Sequence, residues 1–425
     1  MNNEENTRVA ILSHEGLTDI DPTQRPMNDW AAELSICDFL WVAYKATAYD
    51  AVLQQLPQVF AWEESNGVYA TLQTLQRSTA LRRWGSFLQH IRTYDPNLAQ
   101  SMTETFDALQ ARGKVRVITA PETYNYISSM RSEPGLSIIR ICNYLNAESV
   151  LQGLGSAKAG YYTAPGDVYY ASSTAPYGLG GQHGSIQVLR APILVDDLPI
   201  DFFSPNVQHA KETSGSGNAP REFGEYANEE ISEIVGRLQD AFSRIAKASI
   251  VAAQLIREFV KVIIPLKVPE GHGSTSQPRF PGRVMLRGVE RSDPGTLATS
   301  LVHESMHQLM YVLEYAGEFV MRLKREEKRT ATSLWTGRDL ELHSFIHACF
   351  VWYGLVQFWA LPGMDDIFEQ HERKREMARC LSGFKQQNPV DSLKPHAEKL
   401  RSDVVEVAAT LQAKLGDVLA IEAAA

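Results

Sequence analysis

Apolar positions recurring at steps of three and four run through most of the first hundred residues. From about Trp30 to Arg112, and clearly in "ELSICDFLWVAYKATAYDAVLQQL", this spacing predicts helices, because positions three and four apart share one helix face. "KVRVITA" (114–120) alternates instead and predicts a short strand, after which "GLSIIRICNYLNAESVLQGL" returns to the helical period. From Gly160 to about Gln208 the character changes. "GYYTAPGDVYYASSTAPYG" and "GSIQVLRAPILVDDLPIDFF" are rich in β-branched and aromatic residues broken by Gly and Pro, which predicts a small sheet. "KETSGSGNAPREFGEYANEE" reads as a loop rich in Gly, Ser and charge. The segment after it, "EEISEIVGRLQDAFSRIAKASIVAAQLIREFVKVIIPLKV", predicts one long amphipathic helix ending in a strand. "GRVMLRG" predicts another strand, and helices are expected near 294–328, 339–360 and 390–420. The expected fold class is therefore α+β, mostly helical, in three stretches. These are a helical region over 1–159, a β-rich segment and loop over 160–220, and a helical region carrying the chemistry over 221–425.

Length and composition narrow the function classes. A chain of 425 residues, 44% hydrophobic and 21% charged, can bury a large core. Its net charge of −9 argues against a general nucleic-acid binder, which needs a basic stripe against phosphate, and is compatible with a cationic peptide partner. "MNNEENTRVA" has neither the basic nor the apolar region of a secretory signal. "ACFVWYGLVQFWALPGM" is too short to span a bilayer and is broken by Gly354, Gln357 and Pro362, so it reads as a buried helix. Cys37, Cys142, Cys349 and Cys380 are scattered without a C-x-x-C pair, as expected of reduced thiols in a cytoplasmic protein.

The chemistry is concentrated in "LVHESMHQLMY" (301–311). His303, Glu304 and His307 form H-E-x-x-H, which on a helix turns both imidazoles to one metal ion. Ser292-Asp293-Pro294 ahead of it is a helix-start signature. A second pair, His343 and His347 in "DLELHSFIHACF", is also four apart on an expected helix, so four of the eleven histidines fall in two such pairs. A zinc peptidase would use Glu304 as general base and needs a third ligand. Glu341 is available but lacks the Asn-Glu setting of such a ligand. The elongated motif H-E-x-x-H-x-x-G-x-x-H fails, with Met310 in the glycine position and no histidine at the required spacing. Three imidazoles, His303, His307 and either His343 or His347, fit the residues better, and imidazole suits zinc, iron or nickel alike. The Gly-rich "YGLGGQHGS" (177–185) lacks the Lys-Ser/Thr ending of a phosphate loop and reads as a turn containing an exposed His183. Trp335, Trp352 and Trp359 read as core aromatics before they read as a substrate platform.

The stretch from about Arg279 to Trp359 resembles the HExxH peptide-modification proteins found beside ribosomally made peptide precursors. The resemblance rests on "PGRVMLRG", "TSLVHESMHQ" and "LWTGRDLELHSFIHACFVWYGLVQFW", and covers about a fifth of the chain. It implies a non-haem iron, 2-oxoglutarate-dependent dioxygenase that hydroxylates the β-carbon of a side chain in a precursor peptide. It implies iron(II) on His303, His307 and His347, the last assigned by its spacing to Phe358-Trp359. His343 is then a neighbour of the metal-bound ring or the alternative third ligand, and Glu304 an orienting group without a base role. Arg338 is the first choice to grip the distal carboxylate of 2-oxoglutarate through two parallel hydrogen bonds, ahead of Arg287 and Arg291. The competing expectations are a zinc metallopeptidase using Glu304 and a peptide-binding scaffold with a structural metal.

Overall fold

The computed structural model describes residues 38–64, 67–172, 186–214, 223–321 and 330–424. The chain forms two compact units, one within Met1–Ala48, Gln73–Ala191 and Phe203–Gln208, the other within Tyr49–Leu72, Pro192–Phe202 and His209–Ala425. The fold is α+β and mostly helical, as the periodicity predicts, with small sheets only.

Helices α1 (Asp38–Val59) and α2 (Val68–Tyr94) each contribute to both units. The first unit continues with α3 (Pro96–Ala108), α4 (Ala111–Thr119), α5 (Pro121–Ser128) and α6 (Pro134–Leu151), then an antiparallel pair, β1 (Val168–Ser172) with β2 (Ile186–Arg190). Its core gathers Trp84, Phe87, Phe106, Tyr126, Tyr144 and Tyr162. The strand expected at 114–120 is instead α4. Its buried positions, Gly113, Lys114, Val117 and Ile118, recur at four, and Arg116 on the same turn reaches Glu148 of α6 at 3.2 Å and Asp167 at 2.7 Å. The alternation is real, but packing on a neighbouring helix outweighs local β-propensity.

In the second unit, β3 (Ile193–Val195) pairs with β4 (Leu198–Pro199), and β4 is followed by α7 (Pro205–Thr213), which straddles the division between the units. The predicted sheet over 160–208 is thus two separate two-stranded pieces. Residues 173–185, with the glycine-rich turn and His183, lie outside the described residues, as do 215–222 of the expected loop and Cys37. The single long helix expected from 229 is two, α8 (Asn228–Ala248) and α9 (Ile250–Phe259). Ser249 breaks it, its extended backbone and its hydroxyl capping the amide of Ala252 at 3.1 Å. The apolar run then becomes β5 (Val262–Leu266), every residue buried.

A three-stranded sheet of order β5-β7-β6 follows, with β6 (Gly273–Thr275) antiparallel and β5 parallel to β7 (Arg283–Arg287). Gly288 turns the chain out of β7 in a left-handed conformation, and a Cβ there would lie 2.2 Å from the Gly271 carbonyl oxygen. The chain then enters α10 (Pro294–Leu313), shorter than the 294–328 expected. Beyond it come the hairpin β8 (Thr330–Thr332) and β9 (Asp339–Glu341), α11 (Leu342–Trp359), α12 (Met364–Ile367), α13 (Gln370–Gln386), α14 (Pro389–Leu393) and α15 (Ser402–Ala424). The periodicity did not predict α13, whose polar sequence buries only a narrow stripe: Glu372, Glu376, Met377, Cys380, Leu381, Gly383 and Phe384. No helix among the described residues is long and apolar enough to cross a membrane.

Candidate metal centre

Helix α10 is set at both ends and along its flank. Asp293 caps it, accepting from the Thr296 amide at 2.8 Å, with Pro294 in the first turn. Arg375 of α13 clamps the same carboxylate with two contacts, 2.7 and 2.8 Å. Gln308 ties the helix to the start of β7, accepting from the Gly282 amide and donating to the Arg283 carbonyl. On the other flank, Gly354 lets α11 approach so closely that a Cβ there would meet Met306 Sδ at 2.5 Å. Trp359 of α11 donates to Thr299. These contacts bring the two histidine pairs to one place.

The imidazoles form a continuous row. His303 Nε2 and His307 Nε2 face each other at 3.3 Å. The other nitrogen of His307, Nδ1, lies 3.3 Å from His347 Nδ1. His347 Nε2 is 3.1 Å and His343 Nε2 2.6 Å from Glu314 Oε2, and Glu314 Oε1 accepts from the Phe319 amide at 3.2 Å. Tyr311 packs its ring along His307, His343 and His347 with centroids 5.3–6.1 Å away. Glu314, His343 and His347 are the one group of three whose donor atoms lie mutually within 4.8 Å among the described residues. His303 and His307 stand beside that group, joined to it through the His307–His347 contact.

Burial governs the charge state. It lowers the basicity of His303, where the Arg379 charge adds to it, takes His347 down to about 4, and takes His307 well below its ordinary value, so these rings are neutral at neutral pH. Neutral imidazole is the form that binds metal. Burial would raise Glu314, but the His347 and His343 rings overcome it and hold the carboxyl down at about 2. Burial pushes Glu304 up to about 7.

Glu304 Oε1 lies 3.9 Å from His303 Nε2, while Glu304 Oε2 and Ser276 Oγ are buried without a hydrogen-bond partner. Buried polar atoms are rarely left so, and a metal with its bound water beside His303 is the kind of group that would satisfy them. The donor set, imidazoles with a carboxylate, fits zinc and non-haem iron(II) equally.

His303 lies at the open side, with 20% of its side chain exposed. Trp352 packs edge-on to it at 5.5 Å, Trp335 stacks on Trp352 at 5.5 Å, and the Arg379 guanidinium lies over Trp352 at 5.5 Å. Trp359 is buried in the core. Arg338 lies exposed in the turn between β8 and β9 and makes no side-chain contact with the histidines among the described residues. Arg291 is spent on the carbonyls of Val268 and Gly271, and Arg287 packs beside Gly273. Among the described residues, Arg379, on the helix that the periodicity did not predict, is a cation whose charge acts on His303.

Two members of the row were also missed, although a signal was present. Tyr311 and Glu314 follow His307 at four and seven, continuing the stripe that starts at His303. No family model and no characterised protein matches the chain.

Proposed function

We propose that this chain is a metal-dependent oxygenase, a non-haem iron, 2-oxoglutarate-dependent hydroxylase acting on a side-chain β-carbon of a ribosomally made precursor peptide. The observation that carries the metal part of this reading is the row of His303, His307, His347, His343 and Glu314, four imidazoles and one carboxylate gathered along two helices. His303 and His307 present the two facing nitrogens that would hold the ion. The chemistry supplied when iron(II) and the keto acid are bound is dioxygen-dependent insertion of one oxygen atom into a C–H bond, with 2-oxoglutarate converted to succinate.

The chain's own residues have defined tasks in this reading. Trp352 and Trp335 wall the open side of His303 and limit water there. Arg379, held by Glu376 through a single Nη1 contact of 3.3 Å, carries a positive charge that acts on His303 and suits an anionic co-substrate. The specific test incubates the protein with iron(II), 2-oxoglutarate, dioxygen and any small precursor peptide found encoded next to its gene. A product one oxygen heavier, with stoichiometric succinate, supports the reading, and an unchanged peptide under all three additions overturns it.

A second reading, an HExxH zinc metallopeptidase, is favoured by one observation: the buried, unpartnered Glu304 Oε2 next to His303, where a base would meet a metal-bound water. Glu304→Gln separates the two. It abolishes a peptidase and leaves a hydroxylase measurably active. Peptide cleaved with zinc alone and no succinate selects the peptidase.

A further inference from the structure

We propose that the outer face of α13 is a docking surface for an acidic segment of the substrate peptide, leading it to the open side of the metal centre. This rests on the function proposed above only in taking the substrate to be a peptide.

Helix α13 sorts its charges by face. Its two acids, Glu372 and Glu376, are buried, whereas its exposed charged side chains, Lys374, Arg375, Arg379 and Lys385, are all cationic. A solvated helix face ordinarily mixes both signs at positions three and four apart. The exposed acids Asp365, Asp366 and Glu369 lie ahead of the helix, and Arg373 takes Asp365 at 2.8 Å. The charge of the whole molecule, −9, would select a cationic partner, and this face selects the opposite.

The helical period arranges these cations as a trough. Arg375 and Arg379, four apart, stand on one side. Lys374 and Lys385, about three turns apart on one line, stand on the other. Ala378 and Ser382 run between them, and their short side chains leave the floor low. Packing accounts for only part of this charge. Arg375 is committed to Asp293, through contacts of 2.7 and 2.8 Å, and to Glu376. Arg379 has one ion-pair contact, 3.3 Å to Glu376, and 46% of its side chain is exposed. Lys374 and Lys385 form no ion pair among the described residues.

The trough is continuous with the site. The Arg379 guanidinium lies over Trp352 at 5.5 Å, and Trp352 is edge-on to His303 at 5.5 Å. Trp335 stacks on Trp352 and meets α13 at Gly383, where a Cβ would lie 2.5 Å from its ring. Dimensions set the partner. At 1.5 Å per residue Lys374 and Lys385 stand about 16 Å apart along the axis, which an extended chain covers in about five residues. With a carboxylate at about every second residue, such a segment meets Lys374, Arg379 and Lys385 together. A nucleic acid presents a far longer run of charge than this face can answer, and the net charge of −9 repels it.

The experiment is a fluorescence anisotropy titration of the metal-free full-length protein, which needs no turnover. The probes are a short labelled peptide alternating Glu and Ala and its counterpart with Gln in place of Glu. The Glu peptide binds on the order of tenfold more tightly at low salt, and the preference shrinks as salt screens exposed charges. Lys374→Glu combined with Lys385→Glu abolishes the preference. Zinc affinity and melting temperature stay those of the parent protein, because both lysines are exposed. Lys414→Glu, on the exposed side of α15, leaves the preference intact. Equal binding of the two peptides, or a preference that survives the double reversal, overturns the proposal. So does tighter binding, through the same lysines, of an oligonucleotide of equal charge or of phosphatidylserine vesicles. Hydroxylation of a precursor peptide by a protein that shows no preference removes the docking surface and keeps the function. A preference without any hydroxylation keeps the surface and removes the function.

Discussion

At the scale of single residues, the two ends of α10 respond to different substitutions. His303→Ala and His307→Ala each remove one of the two facing nitrogens, and tight metal binding is lost in a folded protein because neither ring supports the core alone. Circular dichroism with metal analysis of the desalted variants checks this, and stoichiometric metal retained by His307→Ala sinks it. At the helix start the effect is on stability. Burial would raise Asp293, but the Arg375 clamp and the Thr296 amide hold its carboxyl below the ordinary value. A depressed carboxyl contributes stability that is fully present above its unfolded value near pH 3.9 and is lost as pH falls through the folded value. Asp293→Asn keeps the cap and removes the ion pair, which is partly exposed on both sides. The variant is less stable by about 0.5–1 kcal/mol at pH 7. The gap closes as the pH approaches 3, and denaturant melts at the two pH values read it. An unchanged gap at low pH would show that the carboxylate charge plays no part.

At the scale of elements, the contrast between what the chain spells locally and what packing decides is plain in α4, α9 and α13. Runs with a broad apolar face, such as α6, α8 and α11, were legible because their period matches the helix. "KVRVITA" misled because β-branched residues alternate there, while the deciding contacts of Arg116 with Glu148 and Asp167 come from 32 and 51 residues away. Helix α13 was silent because its buried stripe includes the charged Glu372 and Glu376, whose partners lie on α10 and on α13 itself. Both histidine pairs of the candidate centre were legible from their spacing. Arg379 was not, since only the folded chain carries α13 to Trp352. The turn that delivers α10 offers a test at this scale. Gly288 combines a left-handed φ of 65° with a backbone oxygen where a side chain would go. Gly288→Ala costs about 2–3 kcal/mol, the range for strained backbone at a position the surroundings over-determine. A loss below about 0.5 kcal/mol in urea melts would mean that β7 and the following turn move apart freely.

At the scale of the whole molecule, a metal centre assembled from α10 and α11 ties ion binding to folding. The donors of the row stand 44 residues apart in sequence, from His303 to His347, and meet only when both helices are packed. An unfolded chain offers the ion no such arrangement, so binding stabilises the native state by mass action. With free zinc or iron(II) at a hundred times its dissociation constant the gain is about 2.7 kcal/mol. For a unit of this size that is roughly a 5–10 °C rise in melting temperature. Chelation of the metal-loaded protein reverses the rise, and returning the ion restores it. The same titration on His303→Ala gives no shift, which separates binding at the row from weak association with surface carboxylates on a chain of net charge −9. Magnesium, which prefers oxygen ligands, leaves the melt unchanged where zinc raises it. Equal shifts from magnesium and zinc, or a shift that survives in His303→Ala, would move the ion away from the imidazoles and dismantle the centre proposed here.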